Sequence, residues 1–126
     1  MIEFVIVGAG GFCGAIARYG LSQIVAIVGS SGPLGTLLAN VLGCLLFGVL
    51  IGLSEHLLPL PPRGRLFLLV GFVGSFTTLS AVTAETLSFF GGGRLLLAAL
   101  HLGQNVLLSL LGMTAGELLV RAIARS

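Results

Sequence analysis

Charged side chains are scarce in this sequence of 126 residues. Six arginines and four glutamates make up 8% of the chain, whereas 56% of it is hydrophobic, and the mean hydropathy is +1.18. Soluble domains carry about 25% charged residues, which cover the surface that faces water. This chain has too few for such a surface, and its composition therefore predicts an all-α integral membrane protein.

Several other classes of protein are excluded by what is missing. The arginines form no cluster that would pair with the phosphates of a nucleic acid, so no nucleic-acid partner is expected. Cysteine occurs only at Cys13 and Cys44. Both lie in apolar runs without the spacing of a metal site, and we expect them to be buried packing residues.

Long polar connectors are also missing. Four apolar segments, at residues 4–28, 34–54, 66–90 and 95–120, each approach the roughly 20 residues that span a hydrocarbon core. Short connectors rich in turn-forming residues separate them at 29–33, 55–65 and 91–94. The pattern predicts a single membrane domain over residues 1–126 with four transmembrane helices.

The third span is interrupted by small and hydroxyl residues, in the sequence GFVGSFTTLSAVTAET at 71–86. Gly71 and Gly74 each lower helix propensity by about 1 kcal/mol relative to alanine, and the hydroxyls can bond to freed backbone groups. We expect a helix break at 74–78. Irregular backbone at this depth persists only inside protein or along a polar cavity, so the break is a functional feature.

Polar residues line one face of two other spans. Thr36 and Asn40 are four apart in the second span, and His101, Asn105 and Ser109 follow the same spacing in the fourth. Such dipolar side chains suit a small permeating ion. No acid lies near His101 in the sequence, so neither an enzyme nor a metal site is predicted there. A small multidrug-type exporter would carry a carboxylate in the middle of its first span, and this chain has none there. Such an exporter is kept as an alternative function.

Two further features concern packing. Arg18 lies inside the first span, where it either snorkels to the interface or organises the bundle. Three G-x-x-x-G pairs, which allow helices to approach closely, are more than one small bundle needs. They indicate an oligomer, although glycine is frequent in membrane helices in any case. The pairs are Gly10/Gly14, Gly48/Gly52 and Gly112/Gly116.

Three motifs together resemble the Fluc/CrcB family of bacterial fluoride channels. They are GGFCGAIARYG in the first span, GTLLAN-x-x-G in the second and GFVGSFTTLS in the third. The resemblance implies passive, selective export of fluoride by an antiparallel, dual-topology homodimer in the bacterial inner membrane. It also implies a structural Na⁺ held by the backbone carbonyls of Gly74 and Thr77.

The same resemblance assigns the ion pathway. Asn40 is the pore asparagine, accompanied on its helix face by Thr36. Ser80 and Thr83 belong to a polar track, Ser109 and Asn105 to a vestibule, and Arg18 and Glu85 are structural charges. The family's third-helix pattern is GF-x-G-x-x-TTFSTF, and its two pore phenylalanines are Leu79 and Val82 in this chain. The positive ring edges that an aromatic pore offers an anion are therefore absent at these two positions.

Arginine positions bear on orientation. With four spans, both termini lie on one side of the membrane, together with Arg63, Arg65, Arg121 and Arg125. Arg94 lies on the opposite side, and Arg18 would join it there if its side chain snorkels to that interface. This bias favours termini in the cytoplasm. It also supports an alternative, in which the chain is the fixed-orientation subunit of a heterodimeric fluoride channel with a degraded pore at Leu79 and Val82.

Overall fold

A computed structural model describes residues 1–29 and 32–125 as helices joined by short connectors. The helices are α1 (Ile2–Ile27), α2 (Gly32–His56), α3 (62–76), α4 (Leu79–Gly91) and α5 (Leu95–Ile123). Four helical segments are long and apolar enough to cross a membrane, with α3 and α4 forming the third, Pro62–Gly91. The prediction of a multi-pass, all-α membrane protein is confirmed. The predicted connector 29–33 includes residues 30 and 31, which lie outside the described residues.

The third span breaks at two residues. Thr77 (φ −81°, ψ 156°) and Thr78 (φ −152°, ψ 117°) are extended, whereas Gly74 keeps helical angles (φ −59°, ψ −30°). The predicted break is confirmed, at the end of the predicted stretch. Its cause is a competing hydrogen bond, because the backbone N–H of Thr78 donates to Asn40 Oδ1 at 2.7 Å instead of continuing the helix.

The two halves of the third span, before and after the break, pack against different helices. Its first half, α3, packs against α1, and its second half, α4, packs against α5. Within α3 the residues Leu66–Val73 are wound as a π-helix, a local form often found at functional sites. The most extensive helix pair is α2 with α5. The break therefore lies where the α1–α3 pair meets the α2–α5 pair.

All three glycine pairs serve packing inside the subunit. A Cβ added at Gly14 would collide with the carbonyl of Phe72 on α3, and one at Gly116 with the carbonyl of Leu45 on α2. The remaining partners also belong to this chain: Phe67 and Gly71 face Gly10, Met113 faces Gly48, Val120 faces Gly52, and Val41 faces Gly112. Each pair therefore already has a partner helix within this subunit, and the pairs by themselves do not indicate an oligomer.

Arg18 organises the bundle. Its Nε donates to the carbonyl of Ser75, which is 3.2 Å away and two residues before the break, and the arginine is half-buried. Of the two roles considered for this arginine, the structure therefore favours packing over snorkelling. Its charge lies beside the irregular segment of the third span.

The outer surface is apolar. Large aliphatic and aromatic side chains remain exposed along every helix, including Phe12, Ile24, Val70 and Leu107. The buried apolar core is small and consists mainly of valine, alanine and leucine. Cys44 is half-buried but Cys13 is exposed, so the expected burial is wrong for Cys13.

Candidate ion pathway

A cleft of about 220 Å³ opens at the helix break, between α2, α4 and α5. Five of the eight predicted pathway residues border it: Asn40, Leu79, Val82, Asn105 and Ser109. Thr77 of the predicted sodium site also borders the cleft, and the remaining lining residues, which were not predicted to lie on the pathway, are Cys44, Thr78, Leu102 and Val106. No carboxylate borders the cleft within the described part of the chain, so its polar groups are amides, hydroxyls and backbone.

Both amide hydrogens of Asn40, and its amide oxygen, bond to neighbouring groups. Its Nδ2 donates to the carbonyl of Thr78 at 3.2 Å and to Asn105 Oδ1 at 2.9 Å, and its Oδ1 accepts from the backbone N–H of Thr78. The two bonds with Thr78 determine the orientation of the amide, because a flipped amide would set donor against donor. Asn40 is only 8% exposed, and it joins α2 to the break and to α5.

Asn105 and Ser109 retain free donors. Asn105 Nδ2 gives one hydrogen to the carbonyl of His101 at 2.9 Å, and its Oδ1 accepts from Asn40. An amide nitrogen carries two hydrogens, so the second has no acceptor among the described residues. The Ser109 hydroxyl, one helical turn further along α5, likewise bonds to none of them. These two side chains border the cleft together.

The predicted polar track lies elsewhere. Ser80 and Thr83 are exposed on the outer face of α4 and do not border the cleft. Ser80 Oγ is 3.0 Å from Thr78 Oγ1, and Thr83 Oγ1 donates to the carbonyl of Leu79. Any contact of these hydroxyls with an ion would therefore occur on the outside of this subunit.

A half-buried acid and a buried histidine meet behind the cleft. Glu85 Oε2 lies 3.0 Å from His101 Nε2, with the two side chains 23% and 7% exposed. Glu85 Oε1 accepts from Thr36 Oγ1 at 2.7 Å, so Thr36 holds the acid and does not border the cleft. The expectation that His101 has no acidic partner is wrong. Contact between α4 and α5 brings together two residues that are distant in sequence.

The two residues at the phenylalanine positions differ in environment. Leu79 is 73% exposed, whereas Val82 is 2% exposed and sits in the cleft wall. No aromatic side chain borders the cleft among the described residues. The nearby Phe72 and Phe76 stack on each other, with ring centroids 5.8 Å apart, so they provide no substitute ring edge there.

The break also frees backbone carbonyls. In a continuous helix the N–H groups of Thr78 and Ala81 would bond to the carbonyls of Gly74 and Thr77. They donate instead to Asn40 Oδ1 and to Thr78 Oγ1, at 2.7 and 3.3 Å. The Gly74 and Thr77 oxygens are thereby released from helical bonds. Carbonyl oxygens at such half-helix ends are suitable ligands for Na⁺.

A second group of possible metal ligands lies far from the cleft. Glu55 and His56, at the end of α2, approach Glu117 of α5, with ligand atoms all within 4.8 Å of one another. The sequence analysis did not identify this group, because only the packing of α2 on α5 assembles it. Its two α2 members are exposed, and it has no connection with the pathway.

Comparison with known proteins places these features in a family. Residues 5–117 match the family model described as "CrcB-like protein, Camphor Resistance (CrcB)". A protein of Nitratidesulfovibrio vulgaris (strain Miyazaki F) named "Fluoride-specific ion channel FluC" is 44% identical, over 94% of this chain and 99% of its own. A protein of the same name from Ruminiclostridium cellulolyticum is 38% identical, over 98% and 96%, and one from Elusimicrobium minutum is 40% identical, over 90% of each.

Proposed function

Because this chain belongs to the CrcB family, we propose that it is a fluoride-selective passive channel, which exports fluoride from the cytoplasm across the bacterial inner membrane. Relatives of nearly the same length are named "Fluoride-specific ion channel FluC". One observation carries the proposal for this chain: the cleft at the broken third span is bordered by amide and hydroxyl groups and by no carboxylate in the described residues. Such a lining attracts a small anion and does not repel it.

Permeation requires replacement of the ion's water by donors of the protein. In this chain those donors come from the side chains at the cleft, and Arg18, bonded at Ser75, adds positive potential near the break. Leu79 and Val82 keep the path apolar but offer no aromatic ring edge. We therefore expect selective permeation that is slower than in a channel with phenylalanines at these positions.

A second copy of the chain, antiparallel to the first, completes the proposed channel. Thr77 and Thr78 place irregular backbone at mid-span, and Gly74 is exposed on the subunit surface. Backbone polar groups facing lipid hydrocarbon would each cost several kcal/mol, so another protein surface is expected to cover them. The surrounding apolar surface is left for lipid.

The same surface supports the proposed structural Na⁺. One chain supplies two freed carbonyls, at Gly74 and Thr77, and a pair of chains related by a two-fold axis supplies four. Native mass spectrometry from mild detergent tests both proposals. We expect two chains with one retained Na⁺; a monomer, or a dimer whose mass does not change when Na⁺ is exchanged for a larger monovalent cation, contradicts the shared site.

A fixed-orientation subunit of a heterodimer is the second candidate. Because Arg18 is bonded to Ser75 within the bundle, it no longer counts toward either membrane surface. The remaining arginines divide four to one in favour of the side with both termini, a bias that sets orientation. In such a heterodimer the partner subunit would complete the working pore, and Leu79 and Val82 would line a degraded half of the pathway.

Fluoride efflux from liposomes tests the function. Vesicles containing the purified chain and loaded with KF should release fluoride once potassium is allowed to move, and vesicles loaded with KCl should retain chloride. A fluoride rate equal to that of empty vesicles defeats the homodimeric channel. Drug-dependent proton uptake in the same vesicles would instead indicate a small multidrug-type exporter.

A further inference from the structure

Three side chains that can bind a metal converge where α2 ends against α5. Glu55 and His56 lie in the last turn of α2, and Glu117 faces them from α5. One ligand atom of each, a carboxylate oxygen or an imidazole nitrogen, lies within 4.8 Å of the other two. Donors around one bound cation are roughly 3 to 4 Å apart, because each is about 2 Å from the metal. Small side-chain rotations therefore let all three reach the same ion.

The packing of α2 on α5 holds these donors together. At Gly52, one turn before the end of α2, an added Cβ would lie 2.9 Å from Val120 Cβ and 3.3 Å from the carbonyl oxygen of Glu117. The two helix backbones are thus in close contact beside the three side chains. Donors carried on packed helices are positioned more precisely than donors on loops, so the set is largely preassembled.

The charges of this set are not compensated within the subunit. Neither Glu55 nor Glu117 has an arginine at ion-pair distance among the described residues. Two carboxylates in proximity repel each other, and a cation between them removes the repulsion. His56 adds a nitrogen donor from the same helix end. Imidazole is a ligand of zinc, copper, iron and nickel, whereas Mg²⁺ and Ca²⁺ prefer oxygen donors alone.

We propose that Glu55, His56 and Glu117 bind a divalent transition-metal cation, for which Zn²⁺ is the representative ion. Three protein donors leave a coordination position for water, as in open zinc sites. Glu55 and His56 are exposed and Glu117 is half-buried, so the ion enters from the aqueous phase. The bound ion joins α2 to α5 on the membrane side that holds both chain termini. This site goes beyond the proposed channel and does not depend on it.

Isothermal titration calorimetry tests the site directly. Protein in detergent, stripped with EDTA and free of any histidine tag, should bind one Zn²⁺ per chain, and excess Mg²⁺ should not compete. His56→Ala and Glu117→Gln should each weaken binding at least about 10-fold, the effect of losing even an outer-shell partner. Glu3→Gln is the matched control, because it removes an exposed acid on the same membrane side and should bind like wild type. No binding by wild type, or equal affinity in His56→Ala, overturns the proposal.

Thermal unfolding provides a second measurement. A ion that binds the folded chain raises its Tm, so wild type and Glu3→Gln should both melt at a higher temperature in saturating Zn²⁺ than in EDTA. Glu55→Gln changes only an exposed side chain, so it should fold normally and lose most of that shift. A full shift in Glu55→Gln, or none in wild type, would show that the three residues do not form one site. Neither measurement uses fluoride, so the zinc site and the channel can fail separately.

Discussion

At the scale of single residues, Glu85 and His101 form a close contact between α4 and α5. Inside the membrane-spanning bundle, Glu85 Oε1 accepts a hydrogen bond from Thr36 at 2.7 Å, and Glu85 Oε2 lies 3.0 Å from His101 Nε2. Removing one partner of a buried charge pair is strongly destabilising, because the remaining charge has no compensation. We therefore expect His101 to stabilise the fold mainly by compensating the Glu85 carboxylate.

We predict that His101→Leu lowers the free energy of unfolding by about 3 kcal/mol, the low end for a broken buried pair, because Glu85 remains 23% exposed. Glu85→Gln is the matched control and should cost less. Its amide still accepts from Thr36 and can donate to a neutral His101. Unfolding in mixed detergent micelles measures both values. Equal losses would show that charge is not the important property of Glu85.

At the scale of helices, the break allows one span to contact two partners. α3 packs along α1, whereas α4 packs along α5 and places Glu85 beside His101. The new helix begins with a cap, since Thr78 Oγ1 accepts from the backbone N–H of Ala81 at 3.3 Å. This hydroxyl satisfies one of the free donors at the start of α4.

We predict that Thr78→Val, which keeps the shape of the side chain but removes the hydroxyl, costs about 1 kcal/mol of stability. Thr78→Ser keeps the cap and should cost little. Hydrogen exchange at the first amides of α4, measured alongside unfolding, locates the effect. If valine and serine give the same exchange at Ala81, the cap does not hold the start of this helix.

At the scale of the whole molecule, charge determines how the bundle enters the membrane. Arg63, Arg65, Arg121 and Arg125 lie on one side, and Arg94 lies on the other, where it stacks on Phe89 at 4.9 Å. Each arginine near a span end favours the cytoplasmic side. The arginine bias is present whether the chain forms a homodimer or a heterodimer. A weak effect of the bias would let the chain insert in both orientations, and a strong effect would fix one orientation.

We predict that a reporter fused to the C-terminus is found mainly in the cytoplasm. Signal from both sides of the membrane would indicate dual topology and exclude the fixed-orientation subunit. Signal from the cytoplasm alone would exclude the antiparallel homodimer. As a control, Gly91→Arg with Gly92→Arg adds two charges beside Arg94 and should shift the signal outward. An unchanged distribution would mean that the arginines do not set the orientation.

Composition and local pattern were sufficient to predict the four spans and the interruption of the third. These are local properties, because a bilayer requires a minimum apolar length and each span forms its own backbone bonds. The motif resemblance extended this to the family, which the match over residues 5–117 confirms. The approximate position of the cleft residues followed from helical spacing, as for Asn105 and Ser109 on one face of α5.

Only the tertiary structure decided which groups meet. Helix rotation and neighbour choice, which no local pattern specifies, bring Glu85 to His101 and direct the glycine pairs inward. The break occurs at Thr77 and Thr78, not at Gly74, because Asn40 of another helix captures the N–H of Thr78. The amide nitrogen of Asn40 likewise bonds to the Thr78 carbonyl and to Asn105 Oδ1, because hydrogen-bond capacity is shared among side chains that only the fold brings within reach.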